Sequence, residues 1–310
     1  RPAHCKLING ATDELATVRD WLRWAVSRFN ETGLSYGHGT ENAWDEAIWL
    51  ILATLHLPRD TLDPWLDARL TKSERLTLLD KLQQRVVHRL PTAYLVQEAW
   101  LGSFRFHVDQ RVIVPRSYFA ELLENGLAPW IDDAETVGTA LDLCTGSACL
   151  AILMAHAFPN ATVDAIDISA DALAVARRNI ADYQLGDRVQ AIESDLFAAV
   201  KGRRYDLILG NPPYVTTEAM EALPPEYRHE PALALAAGAD GLDVVRRILA
   251  EAREHLNPGG LLAIEVGHNQ ELVAAAFPKL PMIWLDTEHA EGKIFLVMRD
   301  DLPAAGKTTA

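Results

Sequence analysis

Asp206-Leu-Ile-Leu-Gly-Asn-Pro-Pro-Tyr214 begins as an apolar run of strand type and stops at two consecutive prolines. A strand cannot continue through Pro212 and Pro213, because neither has an N–H for the ladder and both fix φ. A rigid loop must follow, with Asn211 at its start and the ring of Tyr214 at its end. A residue before a proline is pushed towards extended backbone, so Asn211 and Pro212 are both expected to be extended. That geometry directs the Asn211 side-chain oxygen and the Pro212 carbonyl into one small space. Two converging acceptors beside a flat ring suit a planar –NH2 group. Taken alone, the stretch reads equally well as a proline-rich turn that closes a buried strand. The choice depends on whether a donor site lies upstream.

Strand-type and helix-type runs alternate from about Thr139 onward. Strands are expected at 140–143, 162–166, 189–193, 205–210, 260–265, 283–287 and 293–298, and helices notably at 171–183 and 241–256. Such alternation predicts a mostly parallel sheet with helices on both faces, and the last two strands, with no helix between them, predict a terminal antiparallel pair. In such a sheet ligands bind beyond the carboxyl ends of the strands. The first strand ends in Asp142-Leu-Cys-Thr-Gly-Ser-Ala148, where Gly146 supplies a tight turn and Ser147 a small cap. The second ends at Asp167, where a nucleotide-binding fold puts an acid for ribose hydroxyls. The third runs into Glu193-Ser-Asp-Leu-Phe197, which offers Asp195 and Phe197 to an adenine edge. Each aspartate alone is also an ordinary helix cap. Four successive strand ends carrying these groups favour a ligand site.

The first hundred residues read as helical. Leu15, Val18, Leu22, Ala25, Val26 and Phe29 recur at helical spacing, as do Trp44, Ala47, Ile48, Ile51 and Leu55. Thr71-Lys-Ser-Glu74 has the form of a capping box, followed by a stripe at Leu76, Leu79, Gln83, Val86 and Leu90. These stripes are read as core, and no catalytic residue is assigned among them; Trp21, Trp24, Trp44, Trp49 and Trp65 fit either a partner-binding face or the core, and aromatic residues at this spacing favour the core. Alternation over 100–109 and 111–114 predicts a hairpin turning at Asp109-Gln110, and Ser117 a helix through Leu127. The residues after 300 read as a disordered tail.

The composition is that of a globular protein: 310 residues, 49% hydrophobic and 23% charged. No apolar run has membrane length, and no signal peptide opens the sequence. Three cysteines without zinc or CxxC spacing suggest a reducing cytoplasm, and no metal set is read. The net charge of −14 argues against broad nucleic-acid binding, which depends on neutralising phosphates with Lys and Arg.

Together, Asp-Leu-Cys-Thr-Gly-Ser, the Asp167 position, Glu-Ser-Asp-Leu-Phe and Asn-Pro-Pro-Tyr resemble the HemK/Prm family of protein-glutamine methyltransferases. His229-Glu-Pro-Ala-Leu-Ala-Leu235 and Gly238-Ala-Asp-Gly-Leu242 are similar to that family's segment after the catalytic loop. Val114-Pro-Arg-Ser117 and Ala120-Glu-Leu122 resemble the branch that acts on large-subunit ribosomal protein L-three. Ala148 stands where a glycine is usual, and is expected to narrow the cofactor loop modestly; Tyr118 stands where that branch usually has proline.

The resemblance implies an α/β fold: a class I, Rossmann-like methyltransferase sheet with a small helical N-terminal domain. The expected division is 1–97 helical, 98–116 hairpin linker, 117–300 methyltransferase and 301–310 tail. S-adenosyl-L-methionine is the implied cofactor, held by Asp142, Thr145, Gly146, Ser147, Asp167, Ile168, Asp195, Leu196, Phe197 and Asn211. Asn211, Pro212 and Tyr214 are the expected catalytic groups, and Pro213, Arg116 and Glu230 join them in holding substrate. The implied partner is a basic ribosomal protein; stable nucleic-acid binding is not expected and the oligomeric state is undetermined. Three other readings use the same residues: glutamine methylation of release factors, methylation of an exocyclic amino group on a base, and a non-catalytic partner-binding protein.

Overall fold

The computed structural model describes residues 10–304, which divide into two compact units. One comprises residues up to Glu98 together with Pro224–His229; the other comprises Ala99–Leu223 and the chain from Glu230 onward. Among the described residues no helix is long and apolar enough to cross a membrane.

The helical unit contains α1 (Ala11–Glu14), α2 (Val18–Thr32), α3 (Ala43–Thr54), α4 (Lys72–Val87) and α5 (Thr92–Val96). Thr17 with Asp20, and Thr71 with Glu74, form reciprocal capping boxes at the starts of α2 and α4, while Asn42 caps α3. Each cap satisfies amides that have no partner within their own helix. Val18, Leu22, Ala25 and Phe29 are buried as expected, beside Trp21. Trp24 and Trp65 pack partly buried on the same core, but Trp44 is 49% exposed.

On α4 the expected stripe is met in part, Leu79 and Val86 packing partly buried on the core. The buried residues are Leu78, Leu82 and Arg85, whereas Leu76 is 51% exposed. A hydrophobic period counts arginine as surface, yet Arg85 is 1% exposed and enclosed by charge. It donates to Glu46 at 2.5 Å, to Glu226 at 3.3 Å and to the Ser35 carbonyl at 2.9 Å. Glu226 also accepts from the Ser35 amide and from Arg89. Burial alone would raise the Glu226 carboxyl, but the Ser35 amide and the Arg85 guanidinium hold it below its ordinary value. Residues 224–229, which follow the Asn-Pro-Pro-Tyr loop, are thus built into the helical unit, a departure from the expected division at 97.

The hairpin also differs from expectation. Its strands are β1 (Ala99–Leu101) and β2 (Phe104–Phe106), turning at Gly102-Ser103 rather than at Asp109-Gln110. Gly102 takes the left-handed backbone of that turn. Asp109 instead accepts from the Arg111 amide and guanidinium, and 111–114 forms no strand. The hairpin belongs to the second unit: the Tyr183 hydroxyl both accepts from the Arg105 amide and donates to its carbonyl.

That unit continues with α6 (Phe119–Glu124), β3 (Thr139–Leu143), α7 (Cys149–Ala157), β4 (Thr162–Asp167), α8 (Ala170–Asp182), β5 (Val189–Glu193), β6 (Tyr205–Gly210), α9 (Thr217–Ala222), α10 (Asp243–Glu251), β7 (Leu256–Glu265), α11 (Gln270–Ala276), β8 (Ile283–Leu285) and β9 (Ile294–Met298). The sheet order is β5-β4-β3-β6-β7-β9-β8; β3 to β7 pair in parallel, and β9 runs antiparallel between β7 and β8. The inner strands are buried on both faces, which is why their sequences read as continuous apolar runs. Strand order reverses between β3 and β6. The helix expected through Leu127 stops at Glu124, where Gly126 and Leu127 turn left-handed. At the far end Leu302 is 1% exposed and its carbonyl accepts from Arg253, so the expected tail is ordered at its start; 305–310 lie outside the described residues.

Removing one partner from a buried ion pair leaves the others uncompensated, at a cost of about 3–5 kcal/mol. Arg85→Ala is expected to destabilise the helical unit by that amount. Urea unfolding followed by tryptophan fluorescence checks it, and a loss near zero would contradict it.

Candidate active site

A cleft opens at the carboxyl ends of β3 to β6, where the strand order reverses. Gly146 from the loop after β3, Asp167 and Ile168 from β4, Asp195 and Leu196 from β5, and Asn211 and Pro213 from β6 all line it. Seven of the residues expected from sequence therefore meet around one space. Asp167 joins two of the loops, its carboxylate accepting from the Gly146 amide and the Ser169 amide, each at 2.9 Å. The Ile168 amide also bonds this carboxylate, which has about four acceptor sites in all.

Other expected contacts lie elsewhere. Asp142, Thr145 and Ser147 are buried and do not line the cleft. Asp142 accepts from the Thr145 hydroxyl at 2.6 Å and the Ala151 amide at 3.1 Å, so its role is to hold the first loop in shape. Phe197 does not reach the cleft; it stacks on His255 in the core with ring centres 4.4 Å apart. Leu196 faces the cleft in its place, on left-handed backbone. Ala148 is likewise left-handed and buried away from the cleft. Its methyl group strains the backbone there rather than narrowing the ligand space. Tyr118 has φ −72, an angle proline also holds, so tyrosine keeps the local backbone.

Asn211 donates through Nδ2 to the Arg116 carbonyl at 3.3 Å. A carbonyl has no hydrogen to give, so the –NH2 end must face it, which leaves Oδ1 to accept from elsewhere. Arg116 and Glu230, both expected to meet substrate, meet each other through two bonds of 2.9 Å. Glu230 is buried and also accepts from the Val114 amide at 2.9 Å. In this structure it forms an internal clasp. Pro212, within the loop, is buried, and neither it nor Tyr214 is among the residues that line the cleft. Tyr214 lies over Gly267, where an added Cβ would fall 2.5 Å from its ring, and its carbonyl accepts from Asn269.

Sequence reading missed one side of the cleft. Pro231, Leu233, Ala234 and Ala236 line it, pinned by the Val215 amide to the Leu235 carbonyl and by the Ala237 amide to the Val215 carbonyl. Arg247 on α10 also lines it and pairs with Asp195 at 2.9 Å. The family-like segment from His229 was the available signal for the first group; none marked Arg247.

Burial pushes Asp142 up to about 7, against the pull of the Thr145 hydroxyl, and pushes Glu265 up to about 7 as well. Burial also raises Asp167. Burial shifts the thiol of Cys144, on the cleft, and that of Cys149, at the start of α7, upward, Cys149 to about 12, so neither supplies a thiolate. An acid whose folded value exceeds its unfolded one binds more protons when folded. Its contribution to stability therefore falls as pH rises from 3.8 through about 7 for Asp142. Thermal melts are expected to show greater stability at pH 6 than at pH 8, with Asp142→Asn flattening the dependence. An unchanged slope in that variant would rule out protonation of Asp142.

A family model described as a methyltransferase small domain matches residues 125–223. The ribosomal protein uL3 glutamine methyltransferase of Neisseria gonorrhoeae is 55% identical, over 96% of this chain and 99% of that protein. The protein of the same description from Bordetella pertussis is 57% identical, over 95% of this chain and 99% of its own length. Among solved structures, a methyltransferase from Pyrococcus furiosus aligns with 74% of this chain and 99% of its own, at 16% identity and a TM-score of 0.46. With more than half of all positions identical across both units, the chain belongs to the family of ribosomal protein uL3 glutamine methyltransferases.

Proposed function

We propose that this protein transfers a methyl group from S-adenosyl-L-methionine to the side-chain amide nitrogen of a glutamine in ribosomal protein uL3. The observation that carries the reading is Asn211, presented at the cleft with its –NH2 end tied to the Arg116 carbonyl and Oδ1 left to accept. The cleft suits the cofactor on its own geometry. A Cβ added at Gly146 meets no protein atom within 4 Å, so what that glycine keeps clear is cleft space and not protein packing. The two carboxylates beside apolar Ile168 and Leu196 fit a ribose and an adenine.

In this reading Asp167 accepts from ribose hydroxyls, and Asp195 and Leu196 border the adenine. The bound cofactor supplies a methyl group activated on a sulfonium. A glutamine amide is a weak nucleophile, because its nitrogen lone pair is delocalised into the carbonyl. Asn211 Oδ1 and the Pro212 carbonyl accept its two N–H groups and hold the nitrogen in one orientation. Fixing orientation supplies about 7–11 kcal/mol of barrier reduction in favourable cases. The same two oxygens stabilise positive charge as it develops on nitrogen; the electron pair of the broken S–CH3 bond would stay on sulfur, and one amide proton would pass to solvent after transfer. Tyr214 bounds the amide plane. The net charge of −14 suits a Lys- and Arg-rich substrate. A ribosomal-protein substrate implies a cytoplasmic location.

The direct test is tritium transfer from labelled cofactor to recombinant uL3, with release factor and RNA as comparison arms; labelling of either in place of uL3 would refute the substrate. Removing one preorganised group at a developing charge costs about 10²–10³ in rate, so Asn211→Ala is expected to lose that much kcat with cofactor affinity retained. Near-normal turnover would refute the clamp. Asp167→Ala is expected to weaken cofactor binding about tenfold or more, since a hydrogen bond to a charged group is worth about 1.5–3 kcal/mol. Calorimetry reporting unchanged affinity would reject the ribose role.

A further inference from the structure

We infer that Glu230 is a positioning residue for methyl transfer, setting the orientation of the Asn211 amide through the main chain of Arg116. The inference rests on the clamp proposed above. Glu230 receives the two arms of the Arg116 guanidinium at 2.9 Å each, and Oε2 takes the Val114 amide as well. Its side chain is fully buried. Val114 and Arg116 are thereby fixed on either side of Pro115, whose ring already restricts φ. A three-residue segment held at both ends and stiffened in the middle has little freedom to rotate its last carbonyl. That carbonyl, of Arg116, is the one that accepts from Asn211 Nδ2.

The consequence is chemical and not merely mechanical. The two ends of an asparagine amide are nearly equal in size and opposite in hydrogen-bonding sense. Turned over, Asn211 would present –NH2 to an incoming –NH2, and the clamp would repel what it should hold. Steric fit cannot prevent that turn, whereas a carbonyl fixed behind the side chain can. Arg116 suits the task because its planar fork locks onto a carboxylate in one geometry, which a lysine ammonium does not.

The experiment is a double-mutant cycle with Glu230→Gln and Asn211→Ala in the full chain. It uses tritiated S-adenosyl-L-methionine and recombinant uL3, with cofactor affinity read by calorimetry. Glutamine keeps the shape of Glu230 but turns a donor towards donors. Glu230→Gln is expected to lower kcat about ten- to a hundredfold, the scale of a small misplacement at a reacting centre. KM and cofactor affinity should stay close to those of the parent. In the Asn211→Ala background the same change should have no further effect on kcat, because the group it orients is gone. If the two losses multiply, Glu230 acts independently of Asn211 and the inference falls while the clamp stands. If Asn211→Ala alone turns over normally, the clamp falls and this inference with it. Arg116→Lys, which keeps the carbonyl and loses the fork, runs the same cycle should Glu230→Gln fold poorly.

Discussion

Strand β6 lies where the sheet changes direction, and it ends against two prolines that can neither donate to a neighbouring strand nor rotate φ. The chain must leave the sheet at that point in an extended, stiff loop. Asn211, the last residue before the prolines, is therefore held over the carboxyl ends of the strands, where the loops after β3, β4 and β5 also converge. The cleft exists because a parallel sheet gathers its loop ends on one side, and the prolines decide what faces it from β6.

Around that point charge serves to hold shape. Asp142 braces the first loop, Glu230 closes on Arg116, and Glu265 accepts from the Ser117 hydroxyl. In the helical unit Glu46, Arg85 and Glu226 bind three separate stretches of chain, one of them the six residues 224–229 that follow the Asn-Pro-Pro-Tyr loop. Buried charges of this kind are weak evidence for net stability, since their desolvation is costly. What they do provide is geometry: each bond has a direction, and a hydrophobic contact does not.

This also explains what could be read from the sequence. All seven strands of the sheet were legible, because inner parallel strands are apolar throughout and are bounded by turn residues. So were the strand-end residues Gly146, Asp167, Asp195 and Asn211. The α4 stripe was misjudged in part because its buried face carries Arg85, whose partners lie 39 and 141 residues away. The hairpin was shifted because 111–114 alternates like a strand, while the Asp109 side chain ties up the Arg111 amide. Phe197 was assigned to the cleft with Asp195 because both follow the end of β5. Left-handed backbone at Leu196 turns the chain between them, and the phenyl ring stacks on His255 in the core.

The same backbone device recurs at the ligand loops and separates their two requirements. Cys144, Gly146, Ala148 and Leu196 all have positive φ, and only one of the four is glycine. Each non-glycine residue there costs of order 1–3 kcal/mol, which the surrounding structure must offset. At Gly146 an added Cβ would meet no protein atom within 4 Å, so glycine there leaves cleft space open in addition to allowing the positive φ. At Ala148 the requirement is conformational, and a methyl group is tolerated because the neighbouring carboxylate of Asp142 and the start of α7 already fix the turn. Substitutions in such loops therefore divide by direction: those pointing into the cleft change what can bind, and those pointing away change only how firmly the loop is held.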